Sequence, residues 1–219
     1  MLKAVIFDAD GTLIDTMGMW KQLDIEFLAA HGIVPDEEYT KTVNKMTLED
    51  GVRYTKELFH LTASEKEIRD SIIKMAGEYY ENKAETKPFV KEFLQKLEEH
   101  NIPMIVATSS QKEFVFPALK RNRIHRYFLD VLSCSETGIG KTRPDIYLRA
   151  AEALGMKPEE IWVFEDALHA VQTAKEAGFS VAAVYDASNE DHLEETIQLA
   201  DLYLPQLDDF DTFFERASS

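Results

Sequence analysis

Residues 3–12 read KAVIFDADGT, in which an apolar run is followed at once by a polar turn that contains glycine. Such a run predicts a buried β-strand that ends in a loop, with Asp8 and Asp10 just beyond it. Asp-Gly is a common turn dipeptide, so the acids also have a plain structural explanation as a strand-ending turn. Two carboxylates beside a buried strand repel each other, however, unless a cation lies between them. The stretch therefore predicts a strand and a candidate site at its end.

The rest of the chain alternates helices and strands after one long helical segment. Residues 16–84 contain helical patterns and no predicted strand, which indicates a helical domain inserted after the first strand. Short apolar runs and helical patterns then alternate, as in βαβ units with a parallel sheet. The predicted strands are residues 104–107, 128–134, 161–164, 181–184 and 202–204, with a tail after the last.

This pattern assigns the chain to the α/β class. We expect a Rossmann-like core with a parallel sheet, formed by residues 1–15 and 85–219. The inserted α-helical domain is residues 16–84.

The polar groups at the carboxyl ends of the predicted strands are the candidate functional residues, because ligands of parallel α/β sheets bind at that edge. They are acids, hydroxyls and one amine: Asp8, Asp10, Thr108, Ser109, Lys141, Glu165 and Asp166. The acids suit a hard divalent cation such as Mg²⁺. The amine and the hydroxyls suit phosphate oxygens. The set is therefore suited to a divalent cation and to phosphate oxygens.

The segment GKT, residues 140–142, allows a second interpretation as a nucleotide-binding P-loop, since it follows a predicted strand. The P-loop pattern requires a glycine five residues before its second glycine, and that position is Ser135. Arg143-Pro144 also starts the next helix late, whereas a P-loop continues directly into its helix. The residues therefore disfavour a P-loop.

Composition and charge argue against several classes of function. With 24 basic and 40 acidic residues in 219, the formal net charge is −16, which repels nucleic-acid phosphates. No apolar run approaches the roughly 18 residues of a membrane span, and the first residues lack the apolar region of a signal peptide. Cys134 is the only cysteine, which excludes an intrachain disulfide and fits a reducing compartment. We expect a cytoplasmic protein with no nucleic-acid or membrane partner.

Four motifs, taken in order, resemble those of the haloacid dehalogenase-like phosphotransferases. The stretch DADGTLIDT, residues 8–16, resembles the family's DxDGT motif. Thr108 matches the hydroxyl residue that follows a hydrophobic strand in the second motif. Lys141 in GKTRPDIY matches the lysine of the third motif, and Glu165-Asp166 match the acidic fourth motif. Four ordered motifs are highly specific where any one of them is not.

The resemblance covers nearly the full chain. The third motif departs at Thr142 and Arg143, which replace the usual proline and small residue, but its lysine and second proline are in place. The helical insertion resembles the cap of the subfamily that includes β-phosphoglucomutase and phosphoglycolate phosphatase. The resemblance implies a Mg²⁺-dependent phosphatase that hydrolyses a small phosphorylated metabolite, with the cap closing over the site and selecting the substrate.

The resemblance also implies a role for each acid. Asp8 would be the nucleophile and form an aspartyl-phosphate. Asp10 would protonate the leaving alkoxide and then deprotonate the attacking water. The metal would be held by the carboxylates of Asp8 and Asp166 and by the backbone carbonyl of Asp10. Glu165 would bind the metal directly or support its ligands.

The remaining three residues would bind the phosphate group. Thr108 and the backbone N–H of Ser109 would hold phosphate oxygens. Lys141 would bridge Asp8 and the phosphate.

Two alternatives stay open at this stage. A sugar-phosphate mutase of the same fold carries a His where ungapped counting gives Trp20, and an Arg where it gives Leu48, which favours hydrolysis. Lys45 is the nearest basic replacement for that Arg. A non-catalytic phospho-ligand binding protein is the other alternative, and it would not need Asp10.

Overall fold

Six strands form one parallel sheet in the computed structural model, which describes residues 2–20, 22–43, 46 and 48–218. The strands are β1 (Ala4–Phe7), β2 (Met104–Thr108), β3 (Phe128–Ser133), β4 (Ile161–Glu165), β5 (Ser180–Val184) and β6 (Leu202–Leu204). Their order across the sheet is β3-β2-β1-β4-β5-β6. The predicted α/β class with a parallel sheet is confirmed.

The first strand lies in the middle of the sheet. Phe7 pairs with Val106 of β2 on one side and with Phe164 of β4 on the other. All of β1 is buried, because both faces and both edges of the strand are covered. The carboxyl ends of β2, β1 and β4 are therefore neighbours, and the residues that follow these strands meet at one edge of the sheet.

Eleven α-helices are found in the described residues, five in the insertion and six in the remainder. Those of the insertion are α1 (Met17–Trp20), α2 (Leu23–Ala30), α3 (Glu37–Val43), α4 (Leu48–Leu58) and α5 (Glu65–Asn82). Those that alternate with the strands are α6 (Val90–Glu99), α7 (Lys112–Arg121), α8 (Asp145–Leu154), α9 (Leu168–Glu176), α10 (Leu193–Leu199) and α11 (Phe210–Ser218).

The chain divides into two compact units, residues 1–16 with 84–219 and residues 17–83. The second unit contains no strand among its described residues. Within it, the hydroxyls of Tyr39 and Thr55 form a buried hydrogen bond of 2.7 Å. Ser64 begins α5 through a capping box with Glu67, which satisfies backbone N–H groups at the helix end.

The strands of the first unit begin and end within one residue of the predicted ones, and the segment after the last strand differs more. The predicted tail is helix α11, because Phe210 and Phe213 lie on one face of it and are buried. The ring of Phe213 packs against Trp162 and Phe164 at centroid distances of 5.4 and 4.9 Å. Strand β3 ends one residue early, and Cys134 instead begins a short 3₁₀ turn in which it stays buried. None of the helices in the described residues is long and apolar enough to span a membrane.

Candidate active site

Three of the predicted acids converge at the edge of the sheet where β1 and β4 end. Oxygen atoms from the carboxylates of Asp8, Glu165 and Asp166 lie within 4.8 Å of one another, and all three residues are buried. The backbone explains this placement, because the N–H of Asp8 donates to the carbonyl oxygen of Phe164 at 2.9 Å and continues the β1–β4 pairing. Three adjacent buried carboxylates are a concentrated negative charge.

Lys141 supplies a positive charge to this cluster. Its loop precedes α8, and its side chain is only 4% exposed. The ammonium group donates to Oδ1 of Asp8 and to Oε1 of Glu165. Burial alone would lower the pKa of Lys141, but the two carboxylates outweigh it and hold the pKa above its ordinary value. Lys141 is therefore a buried ammonium ion held between two of the acids.

Tyr147 belongs to the same cluster, although the sequence analysis gave it no role. Its hydroxyl donates to Oε1 of Glu165 at 2.7 Å, and the residue is fully buried. Burial and the adjacent Glu165 raise the pKa of the Tyr147 phenol, so it stays a neutral donor. The sequence signal that could have indicated Tyr147 is its position six residues after Lys141, in the first turn of α8. Oε1 of Glu165 thus accepts from both Lys141 and Tyr147.

The cluster carries more negative charge than Lys141 balances. Burial raises the pKa of Asp8 well above its ordinary value; Lys141 opposes this shift, and Glu165 and Asp166 add to it. Burial, then Glu165 and Asp186, raise the pKa of Asp166 to about 8. Oδ2 of Asp8 is buried and has no hydrogen-bond partner among the described residues. Hard oxygen donors with an unpartnered buried oxygen fit a divalent cation such as Mg²⁺.

Asp10 lies beside this cluster and is half-buried. Gly11, which follows it, has a φ of 89°, a backbone conformation that glycine adopts without strain and that lets the loop turn sharply. One carboxylate oxygen of Asp10 accepts from the hydroxyl of Thr16 at 2.5 Å, and the other from Thr108 at 3.4 Å. The sequence analysis gave Thr16 no role. Its hydroxyl fixes the orientation of a carboxylate that the motif had singled out.

The two predicted phosphate-binding residues after β2 have different surroundings. Thr108 is fully buried, and its hydroxyl accepts from the backbone N–H of Ser110 at 3.0 Å. Ser109 is exposed. The structure thus brings Thr108 to Asp10, and leaves Ser109 at the surface directly after it.

Three further residues that the sequence analysis missed hold the loops around the acids. Thr12 donates to one oxygen of Asp166 at 3.5 Å, and the amide of Asn189 donates to the other at 2.7 Å. Lys87 donates to the carbonyl oxygen of Gly11 at 2.7 Å. Thr12 lies within the DADGT stretch, which was a signal. No local pattern marks Lys87 or Asn189.

The sequence is similar to that of known proteins over most of its length. The family model described as haloacid dehalogenase-like hydrolase matches residues 5–184. A Thermotoga maritima protein named phosphorylated carbohydrates phosphatase is 26% identical over 177 residues, which is 81% of this chain and 82% of that protein. Phosphoglycolate phosphatase of Shigella boydii is 26% identical over 209 residues, covering 81% of this chain and 79% of the relative.

Solved structures share the fold. A Thermotoga maritima structure with a provisional β-phosphoglucomutase assignment has a TM-score of 0.85 at 24% identity, covering 98% of this chain and 99% of that one. CbbY from Rhodobacter sphaeroides, solved with phosphate, has a TM-score of 0.75 at 22% identity and covers 94% and 95% of the two chains.

Proposed function

This chain belongs to the haloacid dehalogenase-like hydrolase family, and from that premise we propose that it is a Mg²⁺-dependent phosphatase acting through an aspartyl-phosphate. The proposal depends on how the two carboxylate oxygens of Asp8 are bound. One of its oxygens is bound by Lys141, and the other is buried without a partner. A carboxylate held in this way is oriented at one oxygen and available at the other.

Asp8 and Asp10 have different roles in the proposed reaction, Asp8 as nucleophile and Asp10 as general acid and base. Asp8 attacks phosphorus, the bond from phosphorus to the ester oxygen breaks, and Asp10 gives that oxygen its proton. A water molecule then attacks the phosphorus of the aspartyl-phosphate, Asp10 takes a proton from it, and Asp8 is released with inorganic phosphate. Hydrogen bonds from Thr16 and Thr108 support this role, because they hold both carboxylate oxygens of Asp10 in place.

Lys141, Thr108 and Ser109 are proposed to bind the phosphoryl oxygens. A buried ammonium ion that is already charged needs no proton transfer to attract a dianion. Glu165 and Tyr147 support this role of Lys141, since Glu165 accepts from both of them. We assign Glu165 mainly to orienting the lysine.

The carboxylates of Asp8 and Asp166, with the backbone carbonyl of Asp10, are proposed to hold Mg²⁺. Bound there, the ion would supply positive charge that neutralises the phosphate and the crowded acids. The raised pKa of Asp166, about 8, supports this assignment, because burial and the neighbouring carboxylates of Glu165 and Asp186 raise it more than Lys141 and Lys87 lower it, and a cation would offset that excess.

We propose a small phosphorylated metabolite as the substrate. The Thermotoga maritima and Shigella boydii relatives are named for phosphorylated carbohydrates and phosphoglycolate. We assign residues 17–83 the role of a cap that selects among such molecules. A cytoplasmic location fits these substrates and remains a prediction.

The test is a panel of phosphorylated sugars and short phosphorylated acids, assayed for phosphate release with Mg²⁺. EDTA should abolish the activity, and excess Mg²⁺ should restore it. Ca²⁺ should support turnover poorly, because its looser coordination misplaces the reacting groups. Full activity after thorough chelation would contradict the proposal.

A mutase assay separates hydrolysis from isomerisation. The indole N–H of Trp20 donates to the hydroxyl of Tyr80 at 3.1 Å, and indole cannot accept a hydrogen bond in the plane as imidazole does. Leu48 is the first residue of α4, and Lys45 lies outside the described residues. With β-glucose 1-phosphate and a trace of the 1,6-bisphosphate, we expect free phosphate. Glucose 6-phosphate that forms faster than phosphate would refute the hydrolase assignment.

A further inference from the structure

A hydrogen-bonded network connects three loops of the first unit. Its centre is Lys87, on the segment between α5 and α6. The ammonium group donates to the carbonyl oxygens of Gly11 and Tyr185 at 2.7 and 2.6 Å, and to Oδ2 of Asp186 at 2.9 Å. Lys87 therefore joins the loop after β1 to the loop after β5.

Asp186 extends the network along the loop after β5. Its second oxygen, Oδ1, accepts from the backbone N–H of Ser188 at 2.9 Å, and its carbonyl oxygen accepts from the N–H of Asn189 at 3.1 Å. Asp186 thereby caps the 3₁₀ turn that begins at Ala187. These bonds fix the backbone on which Asn189 lies.

The side chain of Asn189 reaches the acidic cluster. Its Nδ2 donates to Oδ2 of Asp166 at 2.7 Å, while Thr12 is 3.5 Å from Oδ1. Of these two contacts, the one from Asn189 is much the shorter. An uncharged amide is also well suited to a position beside the acidic cluster. It donates to a carboxylate without adding a charge, whereas a carboxylate at residue 189 would repel Asp166 and a lysine would neutralise it.

We propose that Asn189, held in place by Lys87 and Asp186, is a positioning residue that sets the divalent-cation affinity of the site by fixing the rotamer of Asp166. The inference rests on the proposed function, in which Asp166 is a metal ligand. Groups that orient a ligating carboxylate change metal affinity because an unfixed ligand must be ordered when the ion binds. Asn189 itself touches no reacting atom in this assignment.

The experiment compares Asn189→Ala with the matched control Ser188→Ala. Ser188 is the adjacent residue in the same turn, and its hydroxyl is buried without a hydrogen-bond partner among the described residues. Binding is measured without substrate, by electron paramagnetic resonance of added Mn²⁺ and by calorimetry with Mg²⁺. We expect Asn189→Ala to weaken binding about 10- to 100-fold, and Ser188→Ala to leave it within about 2-fold.

Turnover gives the second measurement. Phosphate release at increasing Mg²⁺ should show the same shift in the half-saturating concentration for Asn189→Ala, with kcat at saturating Mg²⁺ reduced by less than about 3-fold. A large fall in kcat with unchanged Mg²⁺ dependence would contradict a positioning role through the metal.

The outcomes separate this inference from the proposed function. If Asn189→Ala binds the divalent cation as tightly as the wild-type protein does, the inference is wrong and the proposed metal site is unaffected. Wild-type protein that binds neither Mn²⁺ nor Mg²⁺ would overturn the proposed metal site, and the inference with it. Asn189 is partly exposed in a loop, so its truncation leaves the core intact, and circular dichroism of both variants checks this.

Discussion

Two lysines of the first unit, Lys141 buried and Lys87 partly buried, both contact carboxylates but differ in the balance of charge around them. Lys141, 4% exposed, contacts the carboxylates of Asp8 and Glu165. Lys87, 17% exposed, contacts one carboxylate, Asp186, and two backbone carbonyl oxygens. In the first cluster acids outnumber the cation, whereas in the second one acid meets one cation.

The pKa values of the acids reflect this difference. Asp186 is buried, which raises its pKa, but hydrogen bonds from Ser188 and Lys87 outweigh burial and hold the pKa below its ordinary value. Asp8 is also bonded to a lysine, yet its pKa is raised, because burial, together with the nearby Glu165 and Asp166, outweighs Lys141. Removing one partner of a balanced pair leaves an unpaired charge and destabilises the fold, whereas removing one acid from a buried cluster with excess negative charge relieves repulsion. The comparison predicts opposite effects of the same substitution in the two clusters.

Asp8→Asn should give the largest effect. We expect kcat to fall by roughly 10³-fold or more, because an amide is not a nucleophile of comparable strength. In EDTA the melting temperature should rise, since burial and the neighbouring acids disfavour a carboxylate at this position, and an amide carries no charge. Phosphate release and thermal unfolding measure the two effects. A folded variant that kept more than about a tenth of the wild-type kcat would disprove the covalent mechanism.

Asp186→Asn should lower stability instead. The change leaves the ammonium group of Lys87 buried without a carboxylate, and breaking such a pair costs about 3 kcal/mol in the free energy of unfolding. Urea denaturation in EDTA measures this loss against the wild-type protein. Unchanged or increased stability, as expected for Asp8→Asn, would mean that the two clusters do not differ as described.

The acidic cluster should also make stability depend on pH. With a folded-state pKa of about 8 against an ordinary value of 3.8, Asp166 keeps its proton in the folded protein where the unfolded chain has lost it. Stability in EDTA should therefore fall as pH rises from about 5 to 8, and added Mg²⁺ should reduce the fall. Urea denaturation across this range, with Asp166→Asn as the control, isolates the contribution. If the free energy of unfolding falls equally with pH in the wild-type protein and in Asp166→Asn, the predicted contribution of Asp166 is wrong.

Tyr147→Phe should have the smallest of these effects. It removes the hydrogen bond to Glu165 but keeps the ring, so unfolding should cost about 1 kcal/mol less. We also expect a severalfold lower kcat, because Glu165 then holds Lys141 less firmly. Tyr39→Phe removes a buried hydroxyl bond to Thr55 and is the matched control. Equal kcat in the two variants would show that Tyr147 only stabilises the fold.

The sequence predicted the parts of the molecule that depend on local patterns. Strands β1 and β4 are continuous apolar runs, and they lie where those runs lie. The pattern of the last helix was equally local, since Phe210, Phe213 and Ala217 recur at helical spacing, but it was interpreted as a tail. That error was one of interpretation, because the signal was present.

The missed site residues have a different cause. Lys87 contacts Gly11 and Asp186, 76 and 99 residues away, and Asn189 contacts Asp166, 23 residues away. Single lysine and asparagine residues in polar stretches carry no local signal for such contacts. The acids and Lys141 were predicted as site residues because ordered motifs mark them. Residues that hold those groups in place are found only when the strand order brings their loops together.

The central position of β1 has a consequence for synthesis on the ribosome. Its neighbour β2 is made about 100 residues later, and β4, its other neighbour, only at residues 161–165. At roughly 5–20 residues per second, about 8 to 30 s pass between the synthesis of Asp8 and that of Glu165. During this interval one edge of β1 has no partner strand. Lys141 is also translated before Glu165 and Asp166, so a cation is already in the nascent chain when the last two acids join Asp8.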